Sequence, residues 1–173
     1  QADARFPNPH SGTGYAYLSN TDGSMGNSIN GSIYQQVSIP ATSTALTLSF
    51  WTYINTQETT TTTQYDLLTV KIMDSTGASQ LDYVATLGNL NASSGYVRRS
   101  YSLPPSLAGQ TVRVLFSASN DGAKPTTFRL DDVGFSYAPT PTTMRVVGYM
   151  PGATDVNQID CGLLTWVNYT PLT

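Results

Sequence analysis

The chain has 173 residues and a formal net charge of −3, and 39% of its residues are apolar whereas only 11% are charged. That length suits one domain with a hydrophobic core plus a small appendage, and the few scattered basic residues argue against nucleic acid as a partner. The single cysteine, Cys161, excludes an intrachain disulfide, and no apolar stretch reaches the length of about 20 residues that a membrane-spanning helix needs.

Apolar and polar residues alternate along most of the chain, with Gly, Pro, Asn or Asp between the alternating runs. Alternation with a period of two is typical of half-buried strands. It predicts eight strands and no helix, at residues 14–19, 31–39, 45–55, 65–73, 80–86, 95–103, 110–119 and 126–137. We therefore expect an all-β fold, a jelly-roll β-sandwich of about eight antiparallel strands, which carries a C-terminal two-strand extension.

The same alternation assigns side chains to the two faces of each strand. The third predicted strand directs its apolar residues to one side and a second set, which includes two aromatic residues, to the other. The predicted core comprises Leu46, Leu48, Phe50, Ile54, Leu68, Val70, Ile72, Val112, Val114, Phe116, Phe128 and Leu130. The opposite side of the third strand carries Thr47, Ser49, Trp51 and Tyr53.

Trp51 and Tyr53 are large aromatic residues on the side of their strand that faces away from the core. One interpretation is that a loop or the appendage covers them. The other is a flat aromatic platform for a polysaccharide, because sugar rings stack their C–H faces on aromatic rings. Tyr96, which shares a face with Arg98 on another predicted strand, is a further candidate for carbohydrate binding.

Asp131 and Asp132 lie next to each other on the last predicted strand of the sandwich. Neighbouring strand residues point to opposite faces, so the pair cannot act as an acid/base dyad without a bulge. One interpretation makes one carboxylate solvent-facing and the other a cap for a backbone amide. The alternative is a structural Ca²⁺ site, completed by oxygen ligands from the loop at residues 20–30.

No catalytic residue emerges from the chain. His10, the only histidine, lies near the N-terminus, and no motif beside it supports a Ser–His–Asp arrangement. The count of one His and one Cys also excludes a metal site built on several of these residues.

A Pro- and Thr-rich stretch, APTPTT, separates the alternating strands of the main body from a second, shorter apolar region. It predicts a sandwich at residues 1–137, an extended linker at 138–143 and an extension at 144–173. Thirty residues cannot enclose a core, so the two apolar strands expected in the extension must dock on their own sandwich or on a neighbouring copy. The residues assigned to this assembly surface are Val146, Val147, Tyr149, Leu164, Trp166, Val167 and Tyr169.

Residues 9–137 resemble the bacterial accessory jelly-roll modules appended to secreted glycosidases and proteases. The similarity is carried by PHSGTGYAYL, SIYQQVSIP, ALTLSFWTYI, YDLLTVKIMDSTG, AGQTVRVLFSASND and FRLDDVGF. The resemblance implies a jelly roll that binds Ca²⁺ through the acidic end of its last strand, at Asp131 and Asp132. It also implies polysaccharide binding, although other modules of this group only space or assemble domains.

Residues 145–169 are similar to the opening of family 18 glycoside hydrolases, the chitinase-like barrels. RVVGYMPG resembles their first barrel strand, and IDCGLLTWVNY resembles the approach to the second and its body. Trp166 stands where that family has His, and Thr170-Pro171 stands where it has Ala-Phe. The acidic DxxDxDxE signature of the family has no counterpart, so the resemblance implies no catalytic residue in this chain.

Two functions of different class follow. The first is a non-catalytic, polysaccharide-binding accessory domain of a secreted chitinase-like protein, with a chitin-like polymer as its partner. The second is a structural subunit of an extracellular filament or matrix, which assembles with copies of itself through its C-terminal strands. Low charge with many Ser, Thr and Tyr residues is commoner outside the cell, which favours secretion in both cases.

Overall fold

The computed structural model describes the backbone of residues 8–18, 30–139, 142–148 and 159–166, and the side chains of residues 8–18 and 30–138. The strands in these ranges are β1 Ala16–Leu18, β2 Asn30–Ser38, β3 Ser43–Thr56, β4 Leu67–Asp74, β5 Gln80–Gly88, β6 Val97–Leu103, β7 Thr111–Ser119, β8 Thr126–Pro139, β9 Thr142–Gly148 and β10 Ile159–Trp166. Single 3₁₀ turns occur at Asn89–Asn91 and Pro105–Leu107.

Strands β1 to β8 form two antiparallel four-stranded sheets. The front sheet has the strand order β1-β8-β3-β6, and the back sheet has the order β2-β7-β4-β5. Consecutive strands change sheet at every step except the β4–β5 hairpin, which is the strand order of a jelly roll. The predicted all-β sandwich is therefore confirmed, and each of the eight predicted strands overlaps an observed one.

The core lies between the two sheets and contains every residue that the alternation assigned to it. Phe50 on β3 is fully buried, and its ring meets Phe116 of the back sheet edge-on, with the ring centroids 5.1 Å apart. Phe50 also stacks against Tyr101 at 5.8 Å. These offset and edge-to-face contacts are the favoured geometries of aromatic pairs, so β3 is anchored in the core by its inward residues.

The chain divides into two compact units, Gln1–Ala138 and Pro139–Thr173. Within the predicted linker at 138–143, β8 extends to Pro139 and β9 begins at Thr142. None of the residues that the structure describes forms a helix long and apolar enough to cross a membrane.

In the second unit, β9 and β10 pair with each other in a two-stranded sheet, as the predicted two-strand extension requires. Their pairing is antiparallel, with Ile159 opposite Gly148, whereas neighbouring strands of a (β/α)₈ barrel run parallel. Only the ten residues 149–158 separate the strands, and a parallel crossover needs about a dozen or more. Of the predicted assembly residues, Val146, Val147, Leu164 and Trp166 lie on these strands; Tyr149, Val167 and Tyr169 lie outside the described residues.

Replacing Phe50 by Ala should lower the free energy of unfolding by about 3–5 kcal/mol, because the truncation leaves a cavity between the sheets. Urea denaturation followed by circular dichroism measures this change. Tyr65→Ala is the matched control, because the Tyr65 side chain is exposed; it should change the free energy by less than about 0.5 kcal/mol. Equal effects of the two substitutions would contradict the assigned core.

Candidate functional site

The outward side of the front sheet carries a cluster of aromatic residues. Because Phe50 and Thr52 point into the core, their neighbours Trp51 and Tyr53 point away from it, and both are half-buried. Trp51 lies opposite Arg98 on β6. Tyr96 precedes Arg98 by two residues and therefore belongs to the same side of the sheet.

The three aromatic residues predicted to bind carbohydrate come together on this side. The ring centroids of Tyr53 and Tyr96 are 5.8 Å apart, at an interplanar angle of 51°. The imidazole of His10 contacts both Trp51 and Tyr96, and its centroid is 5.7 Å from that of the Tyr96 ring. We call Trp51, Tyr53 and Tyr96 the aromatic face.

His10 covers part of the aromatic face. Its ring stacks on the Trp51 ring, with the centroids 3.7 Å apart and the planes inclined by only 19°. The interpretation in which a loop covers Trp51 is thus correct in part, and the covering element is the N-terminal segment. We call residues 9–12 the N-terminal strap.

Asp131 and Asp132 hold the strap in place. Asp131 Oδ2 accepts hydrogen bonds from the backbone N–H of His10, at 2.7 Å, and of Ser11, at 3.3 Å. Asp132 Oδ2 lies 2.7 Å from His10 Nδ1, and its other oxygen accepts a hydrogen bond from the Ser11 hydroxyl. A carboxylate only accepts, so Nδ1 is the protonated ring nitrogen of His10. The two acids thus clamp backbone and side chains of the same two residues.

The expectation that Asp131 and Asp132 point to opposite faces is wrong. Asp132 has a φ of 45°, in the left-handed region, which interrupts the strand alternation at this position. Its backbone N–H donates to Asp131 Oδ1 at 2.8 Å, so the first carboxylate also caps the second residue. The irregular backbone brings both carboxylates to the strap, where Asp is one of the residues that tolerates this conformation.

The predicted calcium site is not tested by this arrangement. Its expected co-ligands, at residues 20–30, lie almost wholly outside the described residues. Within the ranges that the structure describes, no group of three or more His, Cys, Asp or Glu residues is arranged to hold a metal ion. Calcium binding through Asp131 and Asp132 therefore stays a prediction.

Arg129 supports the aromatic face from the neighbouring strand β8. It is only 4% exposed although it points outward, because three tyrosine rings surround it. Its guanidinium carbon lies 5.0 Å from the ring centroid of Tyr53, 5.7 Å from that of Tyr17 and 6.0 Å from that of Tyr15. Contacts at these distances are cation–π interactions, so Arg129 holds Tyr53 in position and shields its own charge from solvent.

Burial raises the pKa of the Tyr96 phenol, and the negative charge of Asp131 raises it further. The phenol is therefore neutral throughout the physiological pH range and can act as a hydrogen-bond donor. Its buried oxygen finds no hydrogen-bond partner among the residues that the structure describes.

The polar residues of the strap are not in a catalytic order. A Ser–His–Asp triad needs the histidine between the serine and the acid, so that the imidazole can take the serine proton. Here Asp132 lies between the other two and contacts both the Ser11 hydroxyl and His10 Nδ1. The arrangement can bind and position groups, but the hydroxyl of Ser11 is not activated by His10.

No protein-family model and no curated protein sequence matches the chain. Among solved structures, the chain is similar to TmCBM61, a carbohydrate-binding module in complex with β-1,4-galactotriose: the identity is 11%, the match covers 76% of this chain and 75% of that chain, and the TM-score is 0.49. It is also similar to the enzymatically active domain of tailspike protein 4 of bacteriophage CBA120, at 13% identity and a TM-score of 0.40, over 74% of this chain and 18% of that one. At such identities no site residue is carried over from either structure.

Acidification should release the strap. Hydrogen bonds from the Ser11 hydroxyl and from His10 hold the pKa of Asp132 below its ordinary value of 3.8. A group whose pKa is lowered in the folded state stabilises the docked strap above its ordinary pKa, and this contribution is lost as the pH falls through the lowered one. The NMR signal of the Trp51 indole N–H should therefore shift with a midpoint below 3.8.

In Asp132→Asn this transition should be absent, while the signals of core residues such as Leu48 report whether the fold persists. A midpoint at or above the ordinary carboxylate value in the wild type would contradict the clamp.

Proposed function

We propose that the aromatic face binds a polysaccharide and that the protein acts as a non-catalytic binding module. The observation that carries this proposal is the joint placement of Trp51, Tyr53 and Tyr96 on the solvent side of the front sheet, with ring centroids of Tyr53 and Tyr96 only 5.8 Å apart. Rings on a sheet are held by the rigid backbone beneath them, so they lose little conformational entropy when a ligand docks. Their flat surfaces suit the C–H faces of pyranose rings.

The polymer is best described as neutral and β-linked, as chitin is. The guanidinium of Arg129 is enclosed by tyrosine rings and offers no open site for an acidic sugar, which leaves the exposed Arg98, opposite Trp51, against the two carboxylates of Asp131 and Asp132. Asp131 and Asp132 would repel acidic polymers, whereas they can accept hydrogen bonds from sugar hydroxyls. Sugars with equatorial substituents have flat apolar faces. Such faces can stack on the aromatic rings, which we expect to contribute most of the binding energy.

We further propose that the module acts outside the cell and accompanies a chitinase-like protein. The sparse charge of the sequence supports an extracellular context. The similarity of RVVGYMPG and IDCGLLTWVNY to chitinase-like barrels supports the second part by sequence alone, since β9 and β10 pair antiparallel. A structural Ca²⁺ bound through Asp131 and Asp132 belongs to the same proposal, since it would stabilise the middle of β8, where the backbone is irregular.

Substituting Trp51 or Tyr53 by Ala should abolish most retention on the polysaccharide, because each substitution removes one stacking surface. We expect a loss of affinity of about tenfold or more for each, which corresponds to about 1.4 kcal/mol. Depletion from solution by insoluble chitin measures the effect, with cellulose and galactan as parallel matrices.

Tyr83→Ala is the matched control, because Tyr83 lies on β5 of the back sheet and is 52% exposed. It should bind as the wild type does, and circular dichroism should show that all variants remain folded. Failure of the wild type to bind any of the matrices, or binding by Trp51→Ala and Tyr53→Ala at the wild-type level, would refute the proposal.

Self-assembly is the second candidate function, and the sheet formed by β9 and β10 favours it. A two-stranded sheet is only marginally stable in water without a further surface to pack on, and these strands form a sheet of two. Light scattering after gel filtration tests the idea by comparing the full chain with a chain truncated after Ala138. The full chain should form oligomers that the truncated chain does not; a full chain that stays monomeric at high concentration would exclude assembly.

A further inference from the structure

We propose that the N-terminal strap is an autoinhibitory lid: His10 occupies the stacking position of a sugar ring on Trp51, and a polysaccharide must displace it. The inference rests on the proposed function of the aromatic face and assigns a regulatory contact to it. It makes His10 a competitor of the ligand and not a member of the binding surface.

The imidazole of His10 occupies the surface of the Trp51 ring on which a sugar would stack. A centroid distance of 3.7 Å between the His10 and Trp51 rings is close to van der Waals contact, so no sugar ring fits between them. The same imidazole makes a T-shaped contact with the Tyr96 ring, with the centroids 5.7 Å apart. His10 therefore contacts two of the three residues of the aromatic face and stacks on one of them, Trp51.

The strap is attached by contacts that exchange readily with water. His10 keeps 31% of its side-chain surface exposed, and Asp132 keeps 36%. Exposed hydrogen bonds and ion pairs contribute little net free energy, because water replaces them when they break. An ideal Cβ placed on Gly12, the last residue of the strap, would meet no atom within 4 Å, so there is open space on that side of the strap. Segments of this kind open locally without unfolding the domain.

Opening of the strap would free polar groups as well as the indole. Both oxygens of Asp132, and Oδ2 of Asp131, accept hydrogen bonds from His10 and Ser11 in the closed arrangement. Once released, the same oxygens become acceptors beside the bare Trp51 ring. A neutral sugar offers what the strap offers, a flat surface for the indole with hydroxyl donors at its edge, so the two compete for one set of partners.

His10→Ala should therefore bind more tightly than the wild type. If the lid is closed in about nine of ten molecules, the apparent affinity of the wild type is reduced about tenfold, and removal of the His10 ring restores it. Isothermal titration with a soluble chito-oligosaccharide measures the change. Asn8→Ala is the matched control, since Asn8 is exposed and precedes the strap; it should leave the affinity unchanged.

Hydrogen exchange gives a second readout that does not depend on the substitution. The backbone amides of His10 and Ser11 are protected by Asp131 when the strap is closed. Addition of the oligosaccharide to the wild type should speed their deuterium uptake, whereas a ligand that simply covers the site would slow it. The amides of β3 should be unaffected or better protected.

The outcomes separate the lid from the proposed function. Equal affinity of the wild type and His10→Ala, or weaker binding by His10→Ala, overturns the lid while leaving the polysaccharide-binding face in place. Slower exchange at His10 and Ser11 with ligand also overturns it. If neither protein binds chito-oligosaccharides or any of the insoluble matrices, the proposed function fails and the lid fails with it.

Discussion

The side-chain alternation of β3 is the constraint on which both the core and the candidate site depend. Phe50 is buried against Phe116 of the back sheet, so its neighbour Trp51 must point away from the core. Because β3 lies between β8 and β6 in the front sheet, the same outward side receives Arg129 from one neighbour and is flanked by Tyr96 at the start of the other. A shift of β3 by one residue would bury Trp51 and expose Phe50, which would remove core and aromatic face together.

The contacts made by Asp131 and Asp132 in the middle of β8 add a movable element to this rigid face. Asp131 and Asp132 bind a segment more than 100 residues away in sequence, and through it they place an imidazole on Trp51. Strand β3 holds the Trp51 ring in a fixed position, and the strap makes a contact with that ring that a ligand can replace. If a sugar displaces the strap, ligand binding is coupled to the release of the N-terminal segment, and affinity is set by how often the strap opens.

The fold and half of the site could be predicted from the sequence because both follow from local periodicity. Alternation locates the strands and assigns Trp51 and Tyr53 to one outward side, and only a register between strands is needed to add Tyr96. The outward direction of the Arg129 side chain could also have been predicted from the sequence, because Arg129 lies between Phe128 and Leu130, which both point inward. Its burial by Tyr15 and Tyr17 depends on the β1–β8 pairing, which no short-range pattern gives.

The strap could not be predicted for two physical reasons. His10 meets Asp132 across 122 positions, and nothing in the few residues around either of them encodes that contact. The left-handed φ of Asp132 also breaks the alternation on which the opposite-face expectation was based. The sequences of β9 and β10 are similar to barrel strands, yet the two strands pair antiparallel. A connection of ten residues is shorter than the dozen or so that a parallel crossover needs.

We propose that the outward side of the front sheet is the polysaccharide-binding surface. A titration of the isotope-labelled full chain with soluble chito-oligosaccharide, followed by ¹H–¹⁵N NMR, tests it most directly. The largest shifts should fall on the Trp51 indole N–H and on the amides of Tyr53 and Tyr96. Shifts confined to the back sheet, around Tyr34 and Tyr83, would contradict it.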